Sequence, residues 1–199
     1  MTTDHMYYKV LNGIESCNGG RAVWHKPRSK NRPGKWMPKI NEIAACEAGY
    51  HVCNRDQLVQ WLGRDIWEVE VRGEHIDADD KSVWQQARLI RRIDTWNERA
   101  ARLFACDCAE HVLPLFEKRH PDDKRPRKAI EIARRFADGE ATKEELAAAE
   151  AAAGTAARYA AEAAAGTAAG AAAWAAARAA AWAAERTWQT DKLFESLAQ

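Results

Sequence analysis

Apolar residues recur with two different periods along this chain, and the change falls near Asp94. Before it the apolar runs are short and alternating. Residues 7–11 read as a strand, residues 50–53 as a second strand after Gly49, and residues 66–71 as a half-buried third. In that third run Trp67, Val69 and Val71 point one way and Glu68 and Glu70 the other. Residues 56–62 place Leu58, Val59 and Leu62 on one side of a short helix, and residues 77–80 form a turn. Residues 82–93 fit either period; Val83, Ala87 and Ile90 favour a helix. Residues 12–41, punctuated by Gly13, Gly19, Gly20, Pro27, Pro33, Gly34 and Pro38, predict a long loop.

After Asp94 the period is helical throughout. Thr95 with Glu98 has the form of a capping box, and Ala100, Leu103, Phe104, Cys108, His111 and Leu115 share one face of the helix that follows. A charged loop runs from His120 to Arg125. Pro126 opens a second helix, which Asp138-Gly139 closes. Thr142 with Glu145 opens a third. From Ala147 to Ala184, 26 of 38 residues are alanine, the strongest helix former. The exceptions Glu150, Gly154, Arg158, Glu162, Gly166, Gly170, Trp174, Arg178, Trp182 and Arg186 come every fourth residue and form a slowly winding ridge. The segment AAAGTAA occurs at 151–157 and again at 163–169. Each Gly-Thr pair has the form of a helix stop followed by a new cap, so the rod is expected to break into two or three packed helices.

These patterns predict an α+β chain: a small mixed α/β N-terminal domain, residues 1–94, followed by an all-α alanine-rich helical domain, residues 95–199. The formal charge of +1 gives no global field toward nucleic acid or membrane. The N-terminus has no signal-peptide shape, and Arg158, Glu162 and Arg178 interrupt the alanine rod, which predicts a soluble cytoplasmic protein. Five cysteines, an odd number, argue against a complete disulfide framework.

Charge becomes informative when it is read locally. Arg21, Lys26, Arg28, Lys30, Arg32, Lys35 and Lys39 follow one another with no acid between Glu15 and Glu42, and Trp24 and Trp36 interleave. Cations with aromatics suit a phosphate backbone with stacking bases, and they suit an acidic protein equally well. Residues 46–53, CEAGYHVC, hold Cys46, His51 and Cys53, but the spacing is wrong for a zinc knuckle and no metal site is expected. Cys106 and Cys108 stand about 200° apart on a helix and cannot chelate together; packing is the expected role of Cys108. Glu68 and Glu70 have the spacing of a paired-acid site, and of a solvated strand face. No Ser/His/Asp grouping, phosphate loop or HExxH occurs. Arg158, Trp174, Arg178 and Trp182 are candidates for a helical interface, with core packing as the other reading.

The run ARLFACDCAEHVLPLFEKRHPDDKRPRKAIEIARRFADGE, residues 101–140, with the alanine-rich helices through about Thr187, resembles the Imm-five-like putative immunity family. The resemblance implies an all-helical domain found beside polymorphic toxins that neutralises one by binding, with no cofactor and no catalytic residues. In the N-terminal half, YKVLNG (8–13), GYHVC (49–53), IWEVEVRGE (66–74) and DDKSV (79–83) resemble an uncharacterised domain of phage-encoded proteins. Their order is also similar to ADP-ribosyltransferase-type folds, which would place His51 and Glu70 in a cleft. The expectation is therefore a non-enzymatic inhibitor of phage or mobile-element type that occludes a toxin or host-defence component, with a protein partner and no membrane. A nucleotide- or ADP-ribosyl-handling enzyme, or a nucleic-acid binder acting through residues 21–39, are the alternatives.

Overall fold

A computed structural model describes residues 6–29, 32–164 and 171–198; the side chains of 155–164 and 171–183 fall outside that description. Internal contacts divide the chain into two compact units, Met1–Asn97 with Leu193–Gln199, and Glu98–Lys192.

The first unit is built on one antiparallel sheet. Its strands are β1 (Tyr7–Asn12), β2 (Glu15–Ser16), β3 (Tyr50–Val52), β4 (Asp65–Asp77) and β5 (Ser82–Arg92), in the order β2-β1-β4-β5-β3. The long β4–β5 hairpin is its spine. It turns at residues 78–81, where the Ala78 amide donates to the Lys81 carbonyl (2.8 Å) and the Ser82 hydroxyl to Asp77 (2.7 Å). Between Arg72 and His75 the pairing slips by a residue. Gly73 sits in that bulge at φ +93°, and a Cβ there would lie 2.6 Å from Gln85 Oε1. Bulges increase strand twist and bend, and this one helps the sheet curl. Beyond β3, Cys53 exchanges backbone hydrogen bonds with Tyr8 of β1 (2.7 and 2.9 Å), so the last strand reaches back toward the first.

The unit is a curled antiparallel half-barrel whose main segment contains, among its described residues, one short helix, α1 (Arg55–Leu58). The expected mixed α/β domain is corrected accordingly; with the helices that follow, the chain is roughly α+β. The misreading came mainly from residues 82–93. Val83, Ala87 and Ile90 have helical spacing, but in β5 Val83, Gln85, Ala87 and Leu89 are buried at period two and β4 supplies their partners. The pattern allowed both elements, and a long-range strand pairing decided between them.

The core gathers Leu11, Trp24, Met37, Tyr50, Trp67 and Leu89 among its buried members. At roughly 25 cal/mol per Å² and about 200 Å² for a tryptophan, Trp24 alone stabilises it by on the order of 3–5 kcal/mol. Tyr8 turns toward Phe194, with ring centroids 5.4 Å apart, and Leu193 is fully buried beside it in sequence. Arg55 lies over the Phe194 ring at 4.2 Å, and the Thr95 hydroxyl donates to the Leu197 carbonyl (2.9 Å). The end of the chain thus belongs to the sheet unit, a placement that composition did not suggest.

The second unit is helical through its described residues. It comprises α2 (Glu98–Glu117), α3 (Arg125–Ala137), α4 (Lys143–Ala164) and α5 (Ala171–Leu197), whose last turn belongs to the first unit. α3 packs against both α2 and α4. Pro126 stands in the first turn of α3 and Asp138 caps its end. Thr142 and Glu145 exchange both bonds of the capping box, at 2.8 and 3.1 Å. Arg134 bridges Asp107 and Glu110 of α2 (2.7 and 2.6 Å), and Arg127 forks onto Glu117 (2.7 Å).

Three helical expectations change. α2 starts at Glu98 itself, so Thr95 does not stand at its cap. Of the two α2 cysteines Cys106 is buried and Cys108 half-buried, and Leu115 is 71 % exposed. α4 continues through Gly154-Thr155, so that pair does not stop the helix, and a Cβ on Gly154 would meet no described atom within 4 Å. The second pair, Gly166-Thr167, lies outside the described residues.

Candidate interaction surface and cleft

The basic segment is not a detached loop. Residues 34–40 run along the free edge of the second half of β5, beyond the stretch that β3 covers, while the Trp24 amide donates to the Ile14 carbonyl (2.8 Å) and the Arg28 amide to the Arg32 carbonyl (2.9 Å). The amides of Gly34, Met37 and Ile40 donate to the carbonyls of Leu89, Ala87 and Gln85 at 2.8, 2.9 and 3.1 Å. The Gln86 side chain adds a bond to the Met37 carbonyl (3.0 Å). A sheet edge left open is a template for unwanted pairing, and this ribbon covers it. Gly34 is essential to the fit, because a Cβ there would lie 2.1 Å from the His25 carbonyl oxygen.

Its two tryptophans have different surroundings. Trp24 is buried against Tyr50, and its indole N–H donates to Ser16 (3.0 Å). Trp36 is half-buried, with the guanidinium groups of Arg72 and Arg88 over its ring at 4.0 and 4.6 Å. Arg21, Lys26, Arg28, Arg32 and Lys35 are exposed, and none makes an ion pair among the described residues. Lys30 lies outside the described residues, as do the side chains of Arg158, Trp174, Arg178 and Trp182. These cations are therefore solvated, and of the five only Lys35 sits in the stretch, Gly34 to Ile40, whose backbone bonds to β5. Such an array suits an acidic surface and brings salt-sensitive association.

A cleft of about 650 Å³ opens in the same unit. Arg21 and Trp24 from the ribbon line it together with His51, Cys46, Lys9 and Lys81. His51 Nε2 accepts the Cys46 amide (3.0 Å), and burial is the main cause that lowers the His51 pKa below the ordinary imidazole range, with Lys9 and Lys81 adding to it. Burial pushes the Cys53 thiol up to about 12, which leaves it protonated and unreactive.

Glu70 does not line this cleft. It takes Arg88 across the hairpin (Nε–Oε2 2.8 Å), while Glu68 is buried under the fork of Arg91 (Nε–Oε2 2.6 Å). Each of the two glutamates has its own arginine, so the spacing of a paired-acid site here serves cross-strand ion pairing. His51 and Glu70 are not brought together around the cleft. Among the described residues no group of three or more His, Cys, Asp or Glu side chains could hold a metal ion, and no helix is long and apolar enough to cross a membrane.

In the second unit His111 stacks on Trp188 with centroids 3.8 Å apart and meets Glu185 at 3.3 Å. Val112 and Leu115 of α2 are exposed apolar positions. Trp188 of α5 packs on α2 through this histidine.

No curated protein and no solved structure matches the chain. The family model described as Imm-5 like putative immunity protein matches residues 91–186, just short of half the chain, and points to an immunity-type protein with a protein partner; it gives no support to nucleic acid.

Proposed function

We propose that this chain is a non-enzymatic inhibitor of immunity type, from a phage or mobile element, that neutralises a toxin or host-defence component by covering its working surface. The observation that carries this reading is the family match over residues 91–186, which spans nearly all of α2 to α4 and the first part of α5. The basic ribbon is the docking surface we assign to it. Its cations are exposed and without ion pairs among the described residues, so an acidic partner could take them up without breaking existing pairs. The bonds that tie Gly34 to Ile40 to β5, and the local bond from the Arg28 amide to the Arg32 carbonyl, reduce the ordering cost on association.

Growth rescue tests the reading. The full chain is co-expressed with each toxin gene encoded in its own locus, and one toxin should lose its lethality. The double reversal Arg28→Glu with Arg32→Glu should abolish rescue while circular dichroism stays unchanged. Rescue that survives the reversal removes the ribbon from the account, and lethality of every toxin removes the immunity reading itself.

A further inference from the structure

Lys9 is the least explained charge in the sheet unit. It lines the 650 Å³ cleft from β1, with its ammonium 5.7 Å from the Trp24 ring centroid. Its Nζ donates to the His51 carbonyl (2.8 Å), and no carboxylate among the described residues pairs with it. An ammonium carries three donors, so two remain for something in the cleft. Burying a cation without a counter-charge is costly, and burial here pulls the Lys9 pKa below the ordinary lysine range.

The surroundings extend the imbalance. Arg21, Lys9 and Lys81 line the cleft, against Glu47 as its carboxylate. Lys81 is answered by Asp80 at 3.0 Å, while Lys9 and Arg21 are not paired among the described residues. A concave site with an excess of one sign of charge focuses the field on a small ion. Half-buried Trp61, with the edges of the buried Trp24 and Tyr50, supplies aromatic wall, and the volume falls within the range of small-ligand sites. Asn18 (φ +56°) and Cys46 (φ +67°) are the two non-glycine residues with left-handed backbone among those described, and both line this cleft. Such strain persists where the surrounding structure enforces it, often at ligand sites.

We propose that the cleft binds a small organic anion, with a phosphate or carboxylate group seated against Lys9 Nζ and an attached planar ring against the aromatic wall. The acceptor oxygens take the open Lys9 donors, and Arg21 at the rim adds attraction without fixing geometry. This site shares Arg21 and Trp24 with the basic ribbon but stands whether or not a toxin is neutralised.

Calorimetric titration of the full chain at low salt tests it, with AMP, benzoate and inorganic phosphate as probes. AMP or benzoate should bind with one-to-one stoichiometry, AMP marking a phosphate head and benzoate a carboxylate, and inorganic phosphate should bind more weakly than AMP for want of a ring. Lys9→Gln should lower the affinity by about tenfold or more, the range expected for a charge-assisted hydrogen bond. Lys26→Gln with Lys35→Gln, which leaves the cleft untouched, should change it less than twofold. Ala48→Trp, which fills the cleft from its wall, should abolish binding and serves as the decisive variant if Lys9→Gln fails to fold. Absence of binding by both AMP and benzoate, or equal affinity in the Ala48→Trp protein, overturns the proposal. So does an equal loss in the Lys26/Lys35 variant, which would mark diffuse attraction.

Discussion

Replacing Leu193 with alanine should unfold the sheet unit preferentially, although the residue lies 96 positions beyond the end of that unit's main segment at Asn97. Leu193 is fully buried, and its neighbour Phe194 is held by Tyr8 and Arg55. Leucine-to-alanine changes at such sites cost about 3–5 kcal/mol, the lost transfer energy plus the cavity left behind. For a unit of roughly 100 residues each kcal/mol lowers the melting temperature by about 4–8 °C, so a loss of about 3 kcal/mol corresponds to a drop of about 12 °C or more. Leu146 of α4, buried in the other unit, is the control. Native-state hydrogen exchange reads the two units separately. Leu193→Ala should accelerate exchange of the β1 and β4 amides such as Tyr7 and Val69, whereas Leu146→Ala should act first on α3 and α4. If Leu193→Ala leaves β4 protection within about 0.5 kcal/mol of the parent, the threshold for a surface change, the assignment of the chain's end to the sheet is wrong.

Three further outcomes follow from local chemistry. The Arg125 side chain and amide hold the Asp123 carboxyl down at about 2; its contribution to the start of α3 is complete above the ordinary carboxylate range and is lost as pH falls through about 2, and in an NMR titration Arg125→Gln, which keeps the amide bond, should raise the midpoint part of the way toward the ordinary carboxylate range, an unmoved midpoint refuting the pairing. Gly34→Ala should drive its new methyl into the His25 carbonyl and free the ribbon from β5, costing about 2 kcal/mol or more and exposing the Ala87 and Leu89 region to exchange; unchanged protection there would refute the edge-covering role. A thiol reagent at pH 8 should modify the exposed Cys46 first, well ahead of Cys53 and Cys108, whose thiols burial raises to about 12 and about 11, and rapid loss of the Cys53 thiol in the folded chain would contradict the cleft geometry.

What the sequence disclosed was local. The strands at YKVLN and IWEVEV, the Thr142/Glu145 box and the Pro126 opening of α3 each depend on neighbours a few residues apart, and each appears in the structure, although Ile66 to Val69 are buried on both faces and not on one. Residues 82–93 were misread because the period of Val83, Ala87 and Ile90 satisfies a helix, while the strand's justification lies across the hairpin in β4. The basic ribbon was legible from charge alone, but its attachment to β5 was not, since Gly34, Met37 and Ile40 reach carbonyls some 45 to 55 positions away. The cleft was hidden for the same reason. Lys9, Trp24, His51 and Lys81 come from four separate segments, and no spacing rule joins them.

The most direct measurement is a binding titration of the full chain against the toxin it rescues, run at low and physiological salt beside the Arg28→Glu, Arg32→Glu variant. Tight one-to-one binding that weakens steeply with salt, and is lost in the variant with the fold intact, is the expected result. Affinity that ignores both salt and the charge reversal would contradict docking through the ribbon.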